Sequence, residues 1–199
     1  MGRKKGYDRQ QLVETAMGVF HRRGFKGAST EILIKELAVN RNSVYTEFGS
    51  KEKLFSLALS EYDRQAVSHL FGPLESLDAN LDEIEALFRF FLTNANDAKG
   101  LGCLLCNTAS ELGGSELSLQ PHVERYFARL HNAFCNALAG AVRTKQIECE
   151  IEIDAEAWSL TANCLGIFLM VRACIATTAA HAAVNGSLLH LRRLRCKTA

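Results

Sequence analysis

LAVNRNSVYTEFGSKEKLF, residues 37 to 55, reads as a turn, a short helix and the start of a longer one. Asn40 suits the N-cap of the short helix, because its side-chain oxygen can accept from the free amides of a first turn. Val44 and Phe48, four apart, then share one inward face. Gly49 suits a left-handed stop, and Ser50 caps the helix that opens KEKLFSLAL. Working upstream, Ser29 or Thr30 starts an earlier short helix with Glu31 in its first turn and Ile32, Leu33 and Leu37 on its buried face. Before that, Asp8 and Gln11 form a capping box ahead of Leu12, Val13, Ala16, Met17 and Phe20 at helical spacing, and Gly24 ends the run. Three short helices and the beginning of a fourth therefore occupy the first fifty-odd residues.

Two short helices across a three-residue turn are what a helix-turn-helix requires: the first braces the second, and the second lies in the major groove. Here the second helix turns Arg41, Asn42, Ser43, Tyr45 and Thr46 outward. Arginine can bind guanine and asparagine can bind adenine bidentately, whereas hydroxyls suit phosphate oxygens. Lys51 adds a positive charge at the next helix start. The charge distribution agrees. Residues 1–53 carry eleven Lys/Arg against six Asp/Glu, a net of +5, and the remainder carries twelve against sixteen, a net of −4. The basic front suits a polyanion such as double-stranded DNA. A solvated end of a helical bundle is the competing reading of the same residues.

The rest of the chain is also helical in pattern. With 48% hydrophobic residues, two prolines and few β-branched alternations among 199 residues, it predicts an all-α class with a sizeable core. Pro73 ends the fourth helix, and Asn80 with Glu83 opens one bearing Ile84, Leu87, Phe88 and Phe91. A helix from about Cys103 ends near Gly113, and Pro121 opens a long one through Val142. TKQIECEIEID, residues 144–154, reads as a loop or helix end. An apolar helix runs from Asp154, and a last one covers 187–195. The stretch from Ala157 to Ala180 contains Asn163 and Arg172 and lacks flanking charge asymmetry, so it reads as buried rather than membrane-spanning. The N-terminus is basic with no apolar stretch behind it, which predicts a cytoplasmic protein. Seven irregularly spaced cysteines do not suggest a disulfide framework in that compartment.

YDRQQLVETAMGVFHRRGFKGAS (7–29), followed by LAVNRNSVYTEFGSKEKLF, resembles the DNA-binding domain of the TetR/AcrR family of transcriptional regulators. Gly24-Phe25, Ser29, Val39, Ser43, Tyr45, Phe48-Gly49-Ser50-Lys51 and Leu54 carry the likeness; Ala38 departs from it, standing where the family has a turn glycine. The resemblance implies a helix-turn-helix domain over 1–53 and a larger helical ligand-sensing and dimerisation domain over 54–199. It implies a homodimeric repressor on a pseudo-palindromic operator. Tyr45, Lys51 and Ser29 or Thr30 would hold phosphate, and Arg41, Asn42 and Thr46 would face bases. The arm Arg3-Lys4-Lys5 would follow the minor groove or the backbone. The helix from Asp154, apolar nearly all round, and the small residues of ACIATTAAHAAVNG fit a dimer interface that includes Leu169 and Ile175.

GCLLCNTASEL, residues 102–112, sets two thiols three apart. The residues allow three readings: small apolar core groups, half a zinc site completed by His131 and Cys135, or a reactive thiol at Cys103 whose pKa the helix N-terminus lowers. Leu104 and Leu105 between the thiols suit a buried helix more than a metal knuckle, so no metal and no cofactor is expected. The segment resembles that of a TetR subgroup including the N-ethylmaleimide reductase repressor. This implies electrophile or oxidant sensing through Cys103, with Cys106 as resolving partner. Phe88, Phe91, Phe134 and Phe168 line either a small-molecule pocket or a closed core. The alternatives to a regulator are an enzyme working through the C-terminal domain, or an architectural DNA binder without a ligand. No catalytic residue is expected: the six histidines are scattered, and the chain has no phosphate-binding loop or metalloprotease spacing.

Overall fold

The computed structural model describes residues 7–94, 100–112, 115–147 and 151–195. Their regular structure is helical, with one isolated antiparallel bridge between Ile147 and Arg195. The Arg3-Lys4-Lys5 arm lies outside the described residues.

Four helices make the N-terminal part: α1 (Arg9–Gly27), α2 (Thr30–Leu37), α3 (Arg41–Phe48) and α4 (Lys51–Tyr62). Their starts are fixed locally. Asp8 accepts from the Gln10 amide at 2.8 Å, Ser29 from Ile32 at 3.3 Å, Asn40 from Ser43 at 2.8 Å and Ser50 from Lys53 at 3.2 Å. A cap of this kind contributes about 1 kcal/mol. The core between α1 and α4 is aromatic: the Phe20 and Phe55 rings lie 4.5 Å apart and Phe25 stands 5.1 Å from Phe55. Leu33, Val44 and Phe48 anchor α2 and α3 to it. Ala38 takes the left-handed conformation, φ 52° and ψ 35°, that ends α2. That conformation costs an L residue roughly 1–2 kcal/mol relative to glycine.

Beyond α4 the chain winds on through a wide π turn, Asp63–Val67, into α5 (Ser68–Phe71) and a 3₁₀ turn holding Pro73. α6 (Leu81–Asn94), α7 (Leu104–Leu112), α8 (Gln120–Arg143), α9 (Ile153–Arg172) and α10 (Thr177–Leu194) follow. The expected capping box at α6 forms: the Asn80 amide donates to Glu83 at 2.8 Å and the Asp82 amide to Asn80 at 2.9 Å. The last helix differs from its sequence reading over 187–195, because it begins ten residues earlier. Asn185 and Gly186 are poor helix formers, but Ala180, Val184, Leu188 and Leu191 form a buried stripe along α10, which packs on α6 and α9, and this packing overrides propensity.

Candidate nucleic-acid interface and effector cavity

The candidate recognition surface is built on α3. Val44 and Phe48 are buried, and this turns Arg41, Asn42, Tyr45 and Thr46 to solvent, with Ser43 half-buried. Arg41 lies 3.6 Å from Glu31 at the start of α2 and 5.9 Å from the Tyr45 ring. The first contact is between exposed groups and is weak. Lys51 rests its ammonium 4.3 Å from the Phe25 ring centre, and partial burial holds its pKa below the usual lysine range. Ser29 and Thr30 stand half-buried at the start of α2. Sequence reasoning overlooked Glu47 on α3, which accepts from the Tyr7 hydroxyl at 3.3 Å and pairs with Arg9 at 3.2 Å, so its carboxylate braces α3 against α1.

In the larger domain, a cavity of about 360 Å³ opens between α4, α6, α9 and the segment before α7. Its wall includes Tyr62, Phe71, Phe91, Cys103, Ile167 and Phe168. Two of the four expected aromatics reach it. Phe88 and Phe134 instead lie fully buried behind it, Phe88 edge-on to Phe91 at 5.9 Å and Phe134 edge-on to Phe71 at 6.3 Å. Helical periodicity locates the inward face but cannot say which inward ring borders a void.

Cys103 immediately precedes α7, as expected, but its ionisation runs the other way. The amides of Leu105 and Cys106 and the hydroxyls of Tyr62 and Tyr126 favour the thiolate. Burial outweighs them and pushes the thiol pKa up. The expectation of a lowered pKa is thereby corrected: removal from water opposes the charge more strongly than the helix end supports it. The thiol donates to the Tyr126 hydroxyl at 3.2 Å. Cys106 is pushed up to about 11, again mainly by burial.

The cavity wall is wired to the recognition domain through contacts that the sequence did not reveal. The His21 ring donates from Nε2 to the Gly102 carbonyl at 3.0 Å and stands edge-on to Tyr62 at 5.2 Å, so it touches two residues of the wall. Burial lowers its pKa, which favours the neutral ring. Arg172, at the end of α9, donates to the carbonyls of His21 at 3.3 Å and Arg22 at 3.4 Å. Gly24, expected to stop α1, breaks it with φ 72° and ψ 176°, and the chain resumes for one more turn. Glu111 of α7 caps that turn, accepting from Phe25 at 2.8 Å and Lys26 at 2.7 Å. A Cβ at Gly24 would sit 2.5 Å from the Glu111 carboxylate, and one at Gly102 would sit 2.7 Å from the Phe168 carbonyl. Both glycines also have positive φ; at Gly102 the backbone clash adds a requirement of space, whereas at Gly24 an added side chain would have to displace the Glu111 carboxylate.

On the opposite side, α9 and α10 expose Trp158, Leu169 and Leu189, with Ile175 in the turn between the helices. Ala162, Gly166, Ala182 and Gly186 are exposed around them. Large apolar and small side chains thus share this exposed face. Among the described residues, no helix is long and apolar enough to cross a membrane.

The chain is similar to known regulators over most of its length. It is 26% identical over 164 residues to the HTH-type transcriptional repressor DhaR of Mycobacterium sp. (strain GP1), covering 82% of each chain. It is 28% identical over 146 residues to the HTH-type transcriptional regulator YezE of Bacillus subtilis (strain 168), covering 71% of this chain and 73% of that one. Among solved structures, a cysteine mutant of the TetR family regulator CifR, complexed with a 26-bp operator duplex, superposes with a TM-score of 0.84. It is 21% identical, over 94% of this chain and 98% of that one. The reduced form of E. coli NemR gives 0.78 at 21% identity, over 96% and 98%. The family profile described as "Bacterial regulatory proteins, tetR family" matches residues 12–58, and "Tetracyclin repressor-like, C-terminal domain" matches 80–186. With both halves matched and the fold shared throughout, the chain belongs to the TetR family of transcriptional regulators.

Proposed function

We propose that the protein is a homodimeric repressor that binds a pseudo-palindromic operator and is released by a small apolar ligand. The observation that carries the DNA reading is α3 itself, a capped helix held by two buried residues with Arg41, Asn42, Tyr45 and Thr46 facing out. Residues 1–53 form the reading head and 54–199 the sensing and dimerising body. Tyr45, Lys51 and Ser29 or Thr30 hold phosphate, Arg41, Asn42 and Thr46 face bases with Ser43 beside them, and the Arg3-Lys4-Lys5 arm follows the duplex. Tyr45→Phe is expected to weaken binding about tenfold on every sequence, the equivalent of one hydrogen bond to a charged group. Lys51→Ala should lower the salt slope by about one, whereas Asn42→Ala and Arg41→Ala should relax base preference at single positions. Binding titrations on matched and mismatched duplexes separate the two classes. Equal loss on all duplexes for Asn42→Ala and Arg41→Ala would remove the base-reading assignment.

The effector reading rests on the cavity. Its volume falls within the range of small-molecule sites, and its wall is mostly apolar, with Tyr62, His69, Asn94 and Cys103 as its polar side chains. An uncharged, largely apolar ligand with one or two polar atoms suits it. An occupant that displaces Gly102 or Tyr62 pulls on His21 and so on α1. Shifts of this kind change the separation of the two reading heads, which DNA tolerates only near whole helical turns of about 34–36 Å.

A second reading is favoured by the place of Cys103 in that wall: an electrophilic ligand is held first and then alkylates the thiol. An alkylating quinone is expected to lower operator affinity in the parent and not in Cys103→Ser, with Cys106→Ser keeping at least part of the response. Because the thiol pKa is raised, labelling of Cys103 should keep accelerating above about pH 8.5, where an ordinary cysteine is half ionised. Mass-spectrometric mapping across pH checks both statements. A Cys103→Ser protein that responds as the parent does returns this thiol to a packing role.

A further inference from the structure

We propose that His131, Cys135 and Asp154 form a binding site for one zinc-class divalent cation that joins α8 to α9. His131 and Cys135 are four apart on α8 and therefore share a face, and Asp154 comes from the first turn of α9. The sequence reading grouped the first two with Cys103 and Cys106 and set metal aside; the fold supplies Asp154 in their place. The imidazole nitrogen, thiol sulfur and a carboxylate oxygen all lie within 4.8 Å of one another. Cys135 Sγ is 3.6 Å from His131 Nε2, and Nε2 is 3.1 Å from Asp154 Oδ1.

Two of the three donor separations, sulfur–nitrogen and nitrogen–oxygen, have the length of a tetrahedron's edges around zinc. Zn–S of about 2.3 Å and Zn–N of about 2.05 Å at the tetrahedral angle put sulfur and nitrogen about 3.5 Å apart, and nitrogen and carboxylate oxygen about 3.3 Å apart. Cys135 Sγ also lies 4.0 Å from Nδ1, beside the ring, so uptake of an ion on Nε2 needs rotation of the Cys135 and His131 side chains, with the two helices kept in place. The Trp158 indole stacks on the His131 ring with centroids 4.3 Å apart and planes 24° apart, which holds the imidazole in its plane. His131 is 13% exposed and Asp154 78%, so the site is closed on the α8 side and open on the carboxylate side. That opening gives an entry path and a fourth position for water.

The donor set selects the ion. A thiolate with an imidazole suits zinc, cobalt or copper and does not suit magnesium or calcium. Thiolate and carboxylate together neutralise a dication, with the imidazole neutral. On loading, the Cys135 S–H bond breaks and one proton leaves to solvent; an imidazolium at His131 releases its Nε2 proton as well, whereas a neutral Nε2–H ring becomes the Nδ1–H tautomer with no net release. Affinity must therefore fall as pH falls.

Cobalt(II) is the direct probe, because thiolate ligation gives a near-ultraviolet charge-transfer band and tetrahedral geometry gives intense visible bands. Titration of the reduced full-length protein is expected to reach one cobalt per chain, with zinc displacing it and raising the melting temperature. Cys135→Ser should abolish the thiolate band, and both it and His131→Gln should weaken affinity at least about 100-fold, the upper range for loss of mere supporting contacts. Helical circular dichroism checks that each variant is folded. Cys174→Ser, which removes an exposed thiol elsewhere, should leave both band and stoichiometry unchanged. Absence of stoichiometric uptake by the parent, or a thiolate band that survives Cys135→Ser, overturns the proposal.

Discussion

Leu169→Glu is expected to yield a monomer whose operator affinity has fallen by about 10²–10⁴-fold, the gain that linking two binding modules supplies. Leu169 is 54% exposed on α9, so a charge there is solvated in the single chain and should change its own stability by no more than about 0.5 kcal/mol. In a dimer packed through α9 and α10 the same carboxylate is buried without a partner, which costs several kcal/mol. The two states are thus separated by the interface alone. Ile175→Glu, in the turn after α9, should act in the same direction. Light scattering gives the mass and an anisotropy titration at fixed salt gives the affinity. Dimer mass and parental affinity in both variants would place the interface on another face.

Glu111→Ala is expected to weaken the connection between cavity and reading head, with the His21 and Arg172 contacts left in place. The Glu111 carboxylate takes two amides of α1, and hydrogen bonds to a charged acceptor contribute about 1.5–3 kcal/mol each. A filled cavity can be imitated by Ala66→Phe, since Ala66 borders the void. On its own, Ala66→Phe should lower operator affinity within the range of about 5–150-fold typical of coupled sites. In the Glu111→Ala background the same substitution should lower affinity by a smaller factor, and the double-mutant cycle then measures the share of coupling that Glu111 carries. An equal effect of Ala66→Phe in both backgrounds would mean that the signal travels by another route. His21 and Arg172 would be the next residues to test.

How much of this was legible in the sequence depended on the range of each interaction. The caps at Asp8, Ser29, Asn40 and Ser50 were readable because donor and acceptor lie within three residues. The outward set on α3 was readable because Val44 and Phe48 fix the helix's rotation. Gly24 announced a break in α1, but its partner Glu111 lies in a distant helix with no local signature. α10 was half missed because Asn185-Gly186 weakens its propensity, while its buried stripe depends on α6 and α9. For Cys103 the local part, a helix start, was read correctly; burial, a property of the assembled core, decided the sign of its pKa. Asp154 was similarly out of reach, since nothing in the loop before α9 tells which face of α8 its carboxylate will meet.

The most direct test of the central claim is selection of duplexes from a random-sequence pool by the parent protein at moderate salt. The account predicts enrichment of an inverted repeat whose half-site centres lie one helical turn, about 34–36 Å, or a multiple apart. It also predicts that Arg41→Ala and Asn42→Ala alter the enriched bases and that Leu169→Glu abolishes the enrichment. Retention of no duplex above the input level, or enrichment that is indifferent to all three variants, would contradict it.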